Sequence, residues 1–178
     1  PDGRFANRSF LIAPDGAIAA RYDKIHMFDV NVSETEVYRE SAGYRPGTKA
    51  VLAETDFAKI GMTVCYDVRF AQLYRRLAQA GAQIITVPAA FNHITGAAHW
   101  EVLLRARAIE TGCFVLAPAQ TGYHAETGGK GQLMDWLAAL LKTAKAPILY
   151  GDHVLTKGEA LFDAICKEGG EGIIAKKA

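Results

Sequence analysis

Apolar and polar positions alternate from Arg8 to Ala13 and again from Ala17 to Tyr22, with Pro14–Gly16 between them. That pattern predicts a β-hairpin closed by a Pro-Asp-Gly turn. From Asp23 to Gly47 the chain turns polar and irregular and closes on "RPG". A loop of that length inside a domain is expected to be functional or mobile. Alternation resumes from Lys59 to Val64, predicting a strand. Phe70, Leu73, Leu77 and Ala80 recur at helical spacing, and Gly81 terminates that helix. "QIITVP" predicts a short buried strand. Trp100, Leu103, Leu104 and Ala108 mark a second helix, beginning near Ala97 and ending near Gly112, and "CFVLAPA" predicts another buried strand. Strand, helix, strand, helix, strand is the order of an α/β layer with parallel pairing.

The pattern changes at "ETGGKGQ", where Gly128, Gly129 and Gly131 predict a linker. Beyond it, Leu133, Leu137, Leu140 and Leu141 predict an amphipathic helix and "ILYGDH" a short strand. Residues 158–167 then read as a helix and 172–176 as a strand. The chain opens without Met almost directly on the hairpin and stops on a strand-like run, so it is expected to lack both flanks of a longer protein.

Composition narrows the classes. Half of the 178 residues are hydrophobic and 22% are charged, which supports a sizeable core and argues against global disorder. The net charge of +1 gives no electrostatic case for a nucleic-acid or anionic membrane partner, and no apolar run approaches a membrane span. Three cysteines, Cys65, Cys113 and Cys166, are widely spaced and lack zinc-type spacing. A reducing compartment, the cytoplasm, is the simplest reading. His26 and His124 have no metal-like company, so no metal is expected.

The candidate chemistry lies in "KIGMTVCYDVRF". Cys65 falls where a strand ends, and an α/β layer presents its ligand-facing edge at such positions. An inert buried cysteine is the plain alternative. An ordinary thiol has a pKa of about 8.5, so a nucleophilic cysteine needs a nearby cation or base. Lys24, at the end of the second hairpin strand, is the candidate cation; a solvated surface lysine is the alternative. Asp67 and Arg69 either build the turn or touch substrate, and Phe91 and Asn92 end the next strand, where they can line a pocket. Glu101 and Arg105 are spaced for a helix ion pair, His99 and Trp100 read as packing or interface residues, and Cys113 reads as core.

"RYDKIHMFDV", "YRESAGYRPG", "KIGMTVCYDVRF", "GAQIITVPAAF" and "ITGAAHWEVLLRARAIETGCFVLAPAQTGYH" together resemble the nitrilase, or carbon–nitrogen hydrolase, superfamily over residues 1–129. The likeness is greatest to its Nit-type amidase branch, whose members act on ω-amides and deaminated glutathione. It implies a Glu–Lys–Cys triad in an αββα sandwich that assembles as at least a dimer. Lys24 then matches the family lysine, Cys65 the nucleophile and Glu40 a supporting glutamate. The backbone N–H of Tyr66 would share oxyanion stabilisation with Lys24, with Phe91 and Asn92 near the substrate. The implied reaction is hydrolysis of a small amide such as an ω-amide, without a cofactor. The family's general-base glutamate has no counterpart here, because residues 1–22 contain no Glu. Impaired activity is therefore expected.

The tail, from about Leu133 to Ala178, resembles bacterial end-joining ATP-dependent DNA ligases, chiefly through "EGIIAKK". This implies Glu171 near metal and nucleotide and Lys176 near phosphate, with ATP and Mg needed only if the tail functions. The ligase nucleophile motif is absent, so a solvated pair bordering a strand is the alternative. The expected architecture is an incomplete αββα sandwich at residues 1–129 with a small α/β appendage at 130–178. Its unpaired edges predict homo-oligomers or aggregation. A ligase-like nucleotide-binding fragment or an inactive chimera is the alternative to an amidase.

Overall fold

The structure is a computed structural model and describes residues 2–120. The expected hairpin is present as β2 (Arg8–Ile12) and β3 (Ile18–Asp23), preceded by the short β1 (Phe5–Ala6). Arg8 stands opposite Asp23 in the antiparallel register and grips its carboxylate, Nε to Oδ1 at 2.5 Å and a terminal nitrogen to Oδ2 at 2.9 Å.

The segment after β3 is more ordered than its polarity suggested. It contains β4 (Asp29–Asn31), β5 (Val37–Arg39), the single-turn α1 (Glu40–Gly43) and β6 (Tyr44–Arg45). β4 pairs antiparallel with β5, and β6 lies parallel to β1. Three-residue strands with exposed polar ends carry too little alternation to stand out in sequence.

The central sheet runs β10–β9–β8–β7, with β7 (Val51–Glu54), β8 (Lys59–Met62), β9 (Ile84–Thr86) and β10 (Phe114–Leu116). β8, β9 and β10 are parallel, as their helical crossovers require. β7 has no counterpart in the sequence reading and joins β8 through a tight turn in which Thr55 N donates to Ala58 O at 3.0 Å.

α2 (Ala71–Gln79) buries Leu73, Tyr74 and Leu77 on one stripe and ends at Gly81, whose φ is +99°. α3 (His93–Thr111) starts earlier than its apolar spacing implied. Asn92 supplies an N-cap there, its side-chain oxygen accepting from Ile94 N and Thr95 N at 3.0 and 3.1 Å. The main core gathers Val68, α2, Ile85, Val87, Phe91, Trp100 and Cys113. A second cluster of Tyr22, Ala53, Met62 and Val64 lies between the hairpin and the sheet. β10 was expected to be buried, but it flanks the sheet among the described residues, with Val115 against the core and Phe114 77% exposed.

Candidate active site

Lys24 follows β3 directly, and three separate contacts hold it. Its N–H donates to Asn7 O at 2.8 Å, its carbonyl accepts from Gly47 N at 2.8 Å, and its ammonium lies 2.5 Å from Glu40 Oε2. Glu40 opens α1. Its Oε1 accepts from Asn7 Nδ2 at 2.9 Å, and its Oε2 also accepts from Phe28 N at 2.6 Å. Lys24 is only 2% exposed, so the ion pair stands largely out of water. Burial pushes the Glu40 carboxyl up, but hydrogen bonds from Lys24, Asn7 and Phe28 outweigh it and leave the group below its ordinary value.

Gly47 explains the "RPG" signal. A β-carbon there would lie 2.1 Å from Asp23 O, so only glycine lets this backbone close on the end of β3.

Cys65 lies just beyond β8, at a sharp turn. Beyond β8, Thr63 and Val64 continue toward a 3-10 turn at Cys65–Arg69, and Val64 is extended at φ −140°. Cys65 has φ +50°, the sole non-glycine positive value among the described residues. An L-residue held in this left-handed conformation costs on the order of 1–3 kcal/mol and needs support from its surroundings. Support comes from Cys65 N donating to Pro88 O at 3.0 Å and from packing against both core clusters.

Further support comes from Asp67, which is fully buried. Its Oδ2 accepts from Val64 N at 3.0 Å and from the Tyr22 hydroxyl at 2.7 Å. Its Oδ1 accepts from His26 N at 3.1 Å and faces His26 Nδ1 at 2.7 Å. Tyr22 and His26 lie on either side of Lys24 in sequence, so one carboxylate straps the Lys24 segment to the Cys65 turn.

Aromatic packing makes a second connection. Phe28, whose N–H serves Glu40, packs its ring 5.0 Å from that of Tyr66, the neighbour of Cys65. Tyr66 also meets Phe70 at 5.5 Å, and Phe70 stacks on His26 at 3.6 Å.

The remaining predicted residues divide. Arg69 does not build the turn as Asp67 does: its guanidinium lies 5.8 Å from the Tyr66 ring and 5.5 Å from the Phe91 ring, and it donates to His99 Nδ1 at 3.2 Å. Phe91 is 2% exposed and packs on Trp100 at 4.7 Å. The Asn92 side chain caps α3 with its oxygen, and its nitrogen donates to Glu36 Oε1 at 2.9 Å and to the Tyr38 hydroxyl at 3.2 Å. Glu101 and Arg105 form the expected ion pair at 3.0 Å. Cys113 is buried in the core, its thiol donating to Ala82 O at 3.0 Å. Glu171, Lys176 and His124 lie outside the described residues. Among the described residues no His, Cys, Asp and Glu cluster is suited to a metal ion, and no helix is long and apolar enough to cross a membrane.

The sequence alone assigns no site role to Asn7, Tyr22, His26, Phe28 or Gly47. Only Gly47 carried a local signal, the turn dipeptide that precedes it.

A family profile described as Carbon-nitrogen hydrolase matches residues 1–152. The chain belongs to the carbon–nitrogen hydrolase family. The match continues past residue 129, where the sequence reading ended its nitrilase-like part. This carbon–nitrogen hydrolase is 54% identical over 120 residues to a deaminated glutathione amidase of Yersinia enterocolitica, covering 67% of the chain and 42% of that relative. It is 47% identical over 151 residues to the Synechocystis protein of the same name, covering 82% of the chain and 56% of the relative. The chain thus spans about half the length of these curated relatives.

Its fold superposes on the crystal structure of the C. elegans NitFhit protein with a TM-score of 0.64 at 41% identity, over 68% of this chain and 30% of that one. A second match, with a TM-score of 0.59 at 25% identity, covers 71% of this chain and 45% of a mutant amidase from Nesterenkonia sp. AN1. In that amidase, acrylamide has undergone Michael addition at the active-site cysteine. Sheets and helices here are consistent with part of an αββα sandwich.

Proposed function

We propose that this chain carries the lysine–thiol part of an amidase site, with Cys65 as nucleophile, Lys24 as its cation and Glu40 as the carboxylate that orients Lys24. The observation that carries the reading is the Asp67 strap, which gathers the Lys24 segment and the Cys65 turn at one carboxylate. The Cys65 thiolate would add to the carbonyl carbon of a small amide. A C–S bond forms, and the carbonyl π electrons move to oxygen. Lys24 and the Tyr66 N–H would steady that oxyanion, and such donors typically contribute about 3–4 kcal/mol each. Collapse breaks the C–N bond and releases ammonia once its nitrogen has been protonated. Water then hydrolyses the thioester to a carboxylic acid and regenerates the thiol.

The substrate is an amide that also bears a carboxylate, as an ω-amide does. Arg69 supports this choice: its guanidinium takes part in no carboxylate ion pair among the described residues and lies beside Tyr66. Phe91 packs on Trp100 and Asn92 caps α3, so both fix the start of that helix.

Turnover by this chain alone is slow. Glu40 accepts from three donors and Asp67 from four, and these bonds hold both carboxylates in supporting roles rather than proton shuttling. General acid–base help is worth about 10²- to 10⁴-fold.

Acrylamide or fluoroacetamide labelling with peptide mass mapping tests the assignment. Cys65 should react well ahead of the buried Cys113, with only slow ammonia release from ω-amides. Equal reactivity of the two thiols would remove Cys65 from the nucleophile role. Rapid ammonia release that disappears in Cys65→Ser would overturn slow turnover while keeping the nucleophile.

A further inference from the structure

We infer that Asp67 is a positioning residue: it sets the distance between the Lys24 ammonium and the Cys65 sulfur, and the integrity of its four-donor network tunes thiol reactivity. The inference rests on reading Lys24 and Cys65 as the reactive pair.

The network has an unusual division of labour. Two donors, Tyr22 OH and Val64 N, converge on Oδ2, and two from His26 converge on Oδ1. Val64 immediately precedes Cys65, and Asp67 N returns a bond to Val64 O at 3.1 Å. The bend around Cys65 is thereby closed on itself through the same residue that holds Tyr22 and His26. Lys24 lies midway between those two anchors, so its backbone has little room to shift unless Asp67 moves. A carboxylate suits this post because it accepts at every lone pair, whereas an amide must turn one donor toward another. Hydrogen bonds to a charged acceptor are also roughly twice as strong as neutral ones.

Asp67 is itself an anion beside a thiol that must ionise. Unshielded, it would oppose the thiolate. Its four donors spread that charge, and Lys24 supplies the opposing cation. Other charged or titratable groups packed around this corner are Glu40 behind Lys24, Arg69 on the turn, and Tyr74 and Arg107 from α2 and α3. Substrate need not touch Asp67, which is fully buried.

The test is the pH dependence of Cys65 alkylation by iodoacetamide, read by peptide mass mapping on the full chain. Lys24→Met sets the scale by raising the midpoint about one unit, close to tenfold in rate at neutral pH. Asp67→Asn should raise it in the same direction, and the double variant should move it no further than Lys24→Met alone. A role confined to stability would lower the thermal midpoint of Asp67→Asn and leave the alkylation midpoint where it was. That result overturns the inference, as does an additive double variant. If Asp67→Asn does not fold, Tyr22→Phe replaces it, since it removes one donor and keeps the ring. Tyr22→Phe should give a smaller shift of the same sign, and an unchanged midpoint there is equally fatal. An unchanged midpoint in Lys24→Met overturns the reactive-pair reading first, and this inference with it.

Discussion

The Lys24 ammonium lies 2.5 Å from a Glu40 oxygen, although Lys24 follows β3 and Glu40 opens α1, and neither is well exposed. Removing one partner of a buried pair leaves an uncompensated charge and typically costs about 3–5 kcal/mol. Glu40→Gln should therefore lower stability on the order of 3 kcal/mol, the low end because the glutamate keeps some solvent access. The double variant Lys24→Met, Glu40→Gln should lose less than the sum of the two singles. Urea midpoints of the four proteins check this, and strict additivity would mean that the pair is not coupled.

Acid should unfold the chain partly through the same pair. Glu40 lies below its ordinary value of 4.5 in the folded chain, so the unfolded chain takes up the proton first as pH falls. The contribution is fully present above about 4.5 and is lost as pH drops through the lower folded value. Asp23, held down mainly by its hydrogen bond to Arg8, acts in the same sense. Urea midpoints measured from neutral pH downward should be level and then fall, with a shallower fall in Lys24→Met. Equal slopes in both proteins would refute the assignment.

Gly47→Ala should be more damaging than a surface glycine substitution. The added carbon would meet Asp23 O at 2.1 Å and break the bond from Gly47 N to Lys24 O. A loss of about 2 kcal/mol or more is expected, since backbone must move. Slower acrylamide labelling of Cys65 should accompany it. Gly43→Ala has open space at the same atom and no positive φ, so it serves as the control without crowding.

Arg69 should read charge on an incoming reagent. At a fixed pH, Arg69→Ala should lower the rate of Cys65 with iodoacetate relative to iodoacetamide, by about tenfold if the guanidinium meets the carboxylate directly. An unchanged ratio would leave Arg69 as a packing residue between Tyr66 and Phe91.

How much of this was written in the chain varies by scale. The hairpin, β8 and α2 follow from alternation and helical spacing and β9 from a short apolar run, although β8 is buried at Ile60, Gly61 and Met62 alike. β4 and β5 do not, since three residues give alternation no length to emerge. The exposed face of β10 was hidden because "CFVLAPA" is apolar on both sides whatever its neighbours. That Cys65 follows a strand is legible, although β8 ends at Met62, three residues before it. The left-handed backbone of Cys65 is not, because only glycine normally announces that conformation. The turn-building role of Asp67 is legible, but its partners, Tyr22 in β3 and His26 just beyond it, lie 45 and 41 residues away, and no local pattern links them.

The φ of +50° at Cys65 implies a conflict between reactivity and durability. A chain selected only to stay folded would place glycine there and relax the bend. Cys65→Gly should therefore melt higher than Cys65→Ser, and the difference measures how much endurance the chain gives up to hold a sulfur at that corner.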